Sequence, residues 1–156
     1  MSTAFARFCL IAVTPSIAVL PRSAASASAP DVPTAVPKPA VVTVPASGRA
    51  AIVIQFALAQ VGKPYRWAAA GPGAYDCSGL VMAAYARAGI KLPHQSGQIA
   101  ARGWRVPSGK WMPGDVIHKP GHVAIYLGGG KVVEAANPRV GVRVAPVRGG
   151  TAHRFL

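Results

Sequence analysis

Apolar positions recur at helical spacing from Ala50 to Val61 and again after Asp76, whereas beyond Pro113 they cluster in short β-branched runs. Ala50 to Val61 reads as a first helix, with Ser47 placed to cap it and Gly62 to stop it. Pro64 to Tyr75 is a loop rich in Gly, Pro and Ala. Asp76 can cap a second helix whose apolar stripe takes in Leu80, Val81, Ala84, Tyr85 and Ala88, and Gly89 supplies the left-handed residue that closes it. An irregular segment rich in Gly, Pro and basic residues follows. Gly114 to His118, His122 to Leu127, Lys131 to Ala135 and Val140 to Val147 then read as strands, separated by Pro-Gly, Gly-Gly-Gly and Asn-Pro turns. Helices first and strands afterwards predict an α+β domain, with N-terminal helices packed on an antiparallel β-sheet.

The first 27 residues have a different layout. Arg7 supplies positive charge, Phe8 to Leu20 form an apolar run, and Ala25-Ser26-Ala27 offers a small-residue cleavage site, so residues 1–27 read as a signal peptide. The run is shorter than the roughly 20 residues that cross a bilayer, and it contains Pro15, so no stable membrane insertion is expected. Residues 28–49, dominated by Ala, Pro, Val, Ser and Thr, read as an extended linker. Residues 50–156 remain as one domain with enough Trp, Tyr and Ile for a single core. The expected destination is outside the cell or in its envelope.

Charge narrows the partners. The chain has 17 Lys and Arg against 4 Asp and Glu, and loss of Arg7 and Arg22 with the leader takes the formal net charge from +13 to +11. Anionic cell-envelope polymers are the expected polyanionic partner. Trp104 between Arg102 and Arg105 has the look of a nucleic-acid stacking residue, but no helix-turn-helix, zinc-finger or RNA-recognition pattern accompanies it, so nucleic acid is not an expected partner.

Candidate chemistry centres on Cys77. The only other cysteine, Cys9, falls in the leader, which leaves one unpaired thiol and no structural disulfide. At a helix start, Cys77 sees unsatisfied amides and the positive end of the helix dipole, which favour thiolate. Four histidines can supply the base. Of these, His122 opens a strand on which His122, Ala124 and Tyr126 share one face and Val123, Ile125 and Leu127 the other. Two hairpin registers are open. A three-residue Gly128-Gly129-Gly130 turn sets Ala124 against Glu134 and brings that carboxylate beside His122. A two-residue Gly129-Gly130 turn moves the register by one and offers Asn137 instead. A zinc site drawn from Cys77, His118, His122 and Glu134 lacks Cys-x-x-Cys or His-Glu-x-x-His spacing, so no metal or other cofactor is expected.

In order and spacing, Pro64-Tyr65-Arg66-Trp67, Asp76-Cys77-Ser78-Gly79-Leu80-Val81, Leu92-Pro93, Pro113-Gly114-Asp115 and His122-Val123-Ala124-Ile125-Tyr126-Leu127-Gly128 resemble the NlpC/P60 family of cell-wall cysteine peptidases. The resemblance implies a papain-like α+β fold and hydrolysis of peptidoglycan stem peptides, commonly between D-γ-glutamyl and a diamino acid. It implies Cys77 as nucleophile, His122 as base and Glu134 as the third polar residue. Tyr65 falls on the residue that helps stabilise the oxyanion. Asp76 and Ser78 fall on residues that engage the substrate peptide.

There are departures. Trp67-Ala68-Ala69 replaces the common Trp-Gly-Gly, Leu92-Pro93-His94 replaces Leu-Pro-Arg, and Ile117-His118 stands where an aromatic pair is usual. These changes lie along the expected cleft wall and bear on specificity more than on catalysis. The competing expectation is a non-catalytic cationic module that binds the envelope through the same cleft. Asp115, after Pro-Gly, is expected in a turn. With screening lengths of about 8 Å at physiological salt, attachment to isolated cell walls should weaken steeply as salt rises. A co-sedimentation assay in which binding is the same at low and high salt would contradict the electrostatic reading.

Overall fold

A computed structural model of the chain describes residue 46 and residues 48–156. The expected leader, most of the expected linker and the proposed Ser47 cap lie outside the described residues. Helix α1 spans Gly48–Leu58 and so begins two residues inside the segment expected to be linker. It buries Val53, Ile54 and Ala57, then unwinds through turns to Gly62, whose φ of +90° suits a stop.

Helix α2, Cys77–Arg87, starts at its expected cap. Asp76 is extended, and its carboxylate accepts the Gly79 N–H at 2.6 Å. The buried stripe of Leu80, Val81, Ala84 and Tyr85 matches the apolar spacing, and Gly89 follows with φ +78°. Two elements occupy the segment expected to be irregular: α3, Ser96–Arg102, and a short strand β1, Trp104–Val106. The side chain of Gln95 caps α3 by accepting the Gln98 N–H.

Strands β2 (Val116–Lys119), β3 (His122–Gly128), β4 (Lys131–Ala135) and β5 (Val142–Pro146) follow the predicted order, and a further strand β6 (Thr151–Arg154) ends the chain. The sheet is antiparallel throughout, in the order β1-β6-β2-β3-β4-β5, so the last strand inserts between β1 and β2. The domain is therefore α+β, as the hydrophobic pattern predicts. Alternation along β3 divides its side chains as expected. Val123, Ile125 and Leu127 join the main core under α1 and α2, while Ala124 belongs to a second cluster on the opposite face.

The β3–β4 hairpin combines features of both expected registers. Gly128 faces Lys131 across a two-residue Gly129-Gly130 turn, yet Tyr126 faces Val132 and Ile125 faces Val133. A bulge at Leu127 absorbs the extra residue. The short turn suits glycines at φ +57° and +71°, and the bulge keeps Glu134 on the same sheet face as His122.

Asp115 does more than turn the chain. Buried, it accepts the Met112 N–H at 2.7 Å and takes two hydrogen bonds from Arg154, at 2.7 and 2.8 Å, so β6 is tied down by a bidentate ion pair.

Gly79 lets α2 meet the loop before it. A Cβ there would lie 2.1 Å from the Ala69 carbonyl oxygen, whose other neighbour is the Asp76 N–H at 2.8 Å. Gly79→Ala should cost about 1–3 kcal/mol, read as a lowered midpoint in thermal unfolding. An unchanged midpoint would contradict this close approach.

Candidate active site

The end of one helix and the start of one strand meet at Cys77. As the first residue of α2, the thiol lies at the positive end of the helix dipole. The β2–β3 turn, Pro120-Gly121, brings the neighbouring strand to it. Pro120 fixes φ, Gly121 takes the left-handed value of +76°, and the Gly121 carbonyl oxygen lies 3.9 Å from Cys77 Sγ.

His122 stands between the thiol and a carboxylate. Its Nε2 lies 2.8 Å from Glu134 Oε2. With the Nε2 proton donated to Glu134, an assignment made from that hydrogen bond, Nδ1 is the ring nitrogen left unprotonated in the neutral imidazole. The other carboxylate oxygen, Oε1, accepts from Arg143 Nε at 3.0 Å and Nη2 at 2.9 Å. The Asn137 side chain is turned away and accepts the Arg139 N–H at 3.0 Å.

These contacts shift all three groups. Burial pushes the Cys77 thiol up, but hydrogen bonds from His122 and the Val123 amide, together with the imidazolium charge, outweigh it and leave the thiol below its ordinary value. Hydrogen bonding to Cys77 and Glu134 raises His122 to about 9 against the opposing effect of burial. The hydrogen bond from His122, joined by Arg143, lowers Glu134 to about 2 although burial acts the other way. Each shift favours the charged form: thiolate for Cys77, imidazolium for His122 and carboxylate for Glu134.

A cleft of about 300 Å³ opens over Cys77, walled by Tyr65, Trp67, Asp76, Ser78 and His94. Burial, then the charges of Cys77 and Asp76, raise the Tyr65 phenol, which therefore keeps its proton as a donor. Asp76 and Ser78 are both buried, and Ser78 Oγ donates to Asp76 Oδ1 at 3.0 Å. His94 Nε2 lies 3.0 Å from both Asp76 oxygens. Trp67 is 83% exposed, an aromatic face open to whatever enters.

Tyr65, Asp76, Cys77 and Ser78 line the cleft, and the half-buried His122–Glu134 pair lies outside that lining. Sequence reasoning missed the partnership of His94 with Asp76 and the part of Arg143. The signal for Arg143 was its place in Val142-Arg143-Val144, a charge between β-branched residues in a strand expected to pair with that of Glu134. His118 does not join the cluster, since its ring packs edge-on against His153 with centroids 6.0 Å apart. Among the described residues no group of three or more His, Cys, Asp or Glu side chains is placed to hold a metal ion.

Residues 62–156 match the sequence profile of the NlpC/P60 family, and the chain belongs to that family of cell-wall-associated peptidases and hydrolases. It is 46% identical over 105 residues to the protein named Probable endopeptidase Rv2190c of Mycobacterium tuberculosis, a match over 65% of this chain and 27% of that one. It is 44% identical over 113 residues to the peptidoglycan endopeptidase RipA of the same organism, covering 62% of this chain and 24% of RipA. The chain spans about a quarter of the length of these relatives.

Among solved structures, one of RipA superposes with a TM-score of 0.63 at 38% identity, over 69% of this chain and 62% of that one. RipA has been solved with a mutation at a cysteine, at a glutamate and at a histidine. RipD of Mycobacterium tuberculosis, described as a non-catalytic NlpC/p60 domain protein adapted to peptidoglycan binding, superposes with a TM-score of 0.62 at 32% identity, over 71% of this chain and 100% of the solved RipD chain. The papain-like α+β fold implied by the sequence motifs is the fold these comparisons share.

The lowered thiol pKa has a direct readout. Alkylation of Cys77 by iodoacetamide, separated from that of Cys9 by peptide mass spectrometry, should persist below the pH at which a free cysteine stops reacting, and His122→Ala should move its midpoint up. A Cys77 that titrates like a free thiol would contradict the ion pair.

Proposed function

We propose that this domain is a cysteine peptidase that hydrolyses peptidoglycan stem peptides, cutting between D-γ-glutamyl and the following diamino acid. The observation that carries the reading is the His122 imidazole, held by Glu134 at 2.8 Å, with its pKa raised and that of Cys77 lowered by their mutual interaction. Family membership and the named activity of RipA support the substrate class. The mutated positions of the RipA structures, a cysteine, a histidine and a glutamate, are the residue types gathered here.

In this mechanism Cys77 Sγ attacks the scissile carbonyl carbon, and the carbonyl electron pair moves onto oxygen. The Tyr65 hydroxyl donates a hydrogen bond to that oxyanion. As the intermediate collapses, His122 gives its proton to the leaving amine, and the C–N bond breaks to leave a thioester on Cys77. Water, deprotonated by His122, then attacks the thioester and releases the new carboxylate. The C–S bond breaks, the thiolate leaves beside the newly protonated His122, and the product acid gives its remaining proton to solvent. Glu134 holds the ring and stabilises its charge throughout. Asp76 and Ser78 present a polar end of the cleft to the stem peptide, while Asp76 also caps α2.

The likeness to RipD favours a second reading, in which the same cleft binds peptidoglycan without cutting it. The presence of Cys77 at the start of α2 and of the His122–Glu134 pair supports the enzyme. The basic chain, the expected leader and the family's cell-wall association support a place in the cell envelope with anionic polymers as neighbours. Among the described residues no helix is long and apolar enough to cross a membrane.

Turnover of purified peptidoglycan tests the proposal. Cys77→Ala should abolish it without loss of fold, and an active Cys77→Ala chain would sink the mechanism. The imidazolium is present below its pKa and is lost as pH rises through about 9, so the rate should fall on the alkaline side near that value. Glu134→Gln removes the charge that helps raise His122, so that limb should move to lower pH and turnover should drop. Asn137→Ala should leave both unchanged, and a larger loss from Asn137→Ala than from Glu134→Gln would contradict the assignment of Glu134.

A further inference from the structure

The carboxylate beside His122 is itself held from behind. Glu134 on β4 and Arg143 on β5 are directly opposed in the sheet, on the face they share with His122. The carboxylate divides its oxygens, Oε2 to His122 and Oε1 to both Nε and Nη2 of Arg143. Two donors of one rigid guanidinium converge on one oxygen, so the carboxylate cannot turn Oε2 away from the imidazole without breaking both. The Glu134 side chain is only 12% exposed, and water is a poor substitute for these partners. The small pocket behind the pair adds Lys119 from β2 and Arg148 from the segment after β5, so Glu134 is the sole carboxylate in a basic surround.

We propose that Arg143 is a positioning residue for catalysis, which keeps the Glu134 carboxylate ionised and oriented so that its other oxygen holds His122 toward Cys77. The proposal rests on the hydrolase reading above. It extends the Cys77-His122-Glu134 set by a fourth residue, which touches neither substrate nor reacting atoms. A guanidinium suits this place better than an ammonium because orientation, and not only charge, is required.

Glu134 is the single glutamate in the 156-residue chain, so glutamate labelled with ¹³C at Cδ gives one titrating side-chain carboxyl signal. That titration is followed alongside peptidoglycan turnover in the wild type, Arg143→Met, Arg143→Lys, Glu134→Gln and the Arg143→Met/Glu134→Gln double variant. In the wild type the carboxyl should stay ionised down to strongly acid pH. In Arg143→Met its midpoint should rise by at least about one pH unit, a tenfold change in proton affinity. The acid limb of the rate profile should then move up, and kcat should fall about tenfold or more with little change in KM.

Arg143→Lys should restore the titration while recovering only part of kcat. In the Glu134→Gln background Arg143→Met should add little, because its effect passes through the carboxylate. An unshifted carboxyl in Arg143→Met overturns the proposal, as does an equal kcat loss with and without Glu134. An inert wild type overturns the hydrolase reading instead, and a shifted carboxyl titration then still supports the hold of Arg143 on Glu134.

Discussion

The hydrogen bond between His122 and Glu134 exists only because β3 and β4 pair in one register, and the remaining site geometry hangs from that pairing. A slip of one residue would turn Glu134 to the opposite face of the sheet, away from the imidazole. The chain could have slipped, since three consecutive glycines offer more than one turn. The bulge at Leu127 prevents it by absorbing one residue while Val123, Ile125 and Leu127 keep their places in the core beneath the helices. Burial of the apolar face therefore fixes the register, and the register fixes the polar pair on the other face.

Scarcity of acid makes the electrostatics simple. All three acidic side chains of the described region have a basic partner: Asp76 is hydrogen-bonded to His94, Asp115 is ion-paired with Arg154, and Glu134 with His122 and Arg143. Two of these pairings also organise backbone, since Asp76 caps the helix that carries Cys77 and Asp115 anchors the loop at Met112. Only Glu134 spends its charge on the imidazole that meets the thiol. In a strongly basic protein an unpaired carboxylate would find some cation, and the fold decides which one.

Much of this was legible in the sequence. The spacing of Leu80, Val81, Ala84 and Tyr85 specifies α2, and Asp76 marks its start through elementary capping chemistry. Alternation along His122 to Leu127 specifies both faces of β3. The missed elements are those whose residues carry little local signal. Helix α3 is seven residues with a glutamine cap, β1 is three residues long, and β6 is Thr151-Ala152-His153-Arg154, a strand with one apolar residue that exists because its neighbours and the Asp115–Arg154 pair hold it. The hairpin register was undecidable for a related reason, because a bulge is set by packing on both sheet faces and leaves no mark in the glycines themselves. His94 and Arg143 were hidden because their partners come from other elements.

The central claim is the proposal that Cys77, His122 and Glu134 cut stem peptides instead of merely sitting beside a binding cleft. Mass spectrometry of muropeptides released from purified peptidoglycan by the protein addresses it most directly. The account predicts fragments that each end at a new D-γ-glutamyl carboxylate or begin at a new diamino-acid amine, their masses summing to the parent plus one water. Peptidoglycan that is bound by the protein and recovered with every stem peptide intact would contradict it.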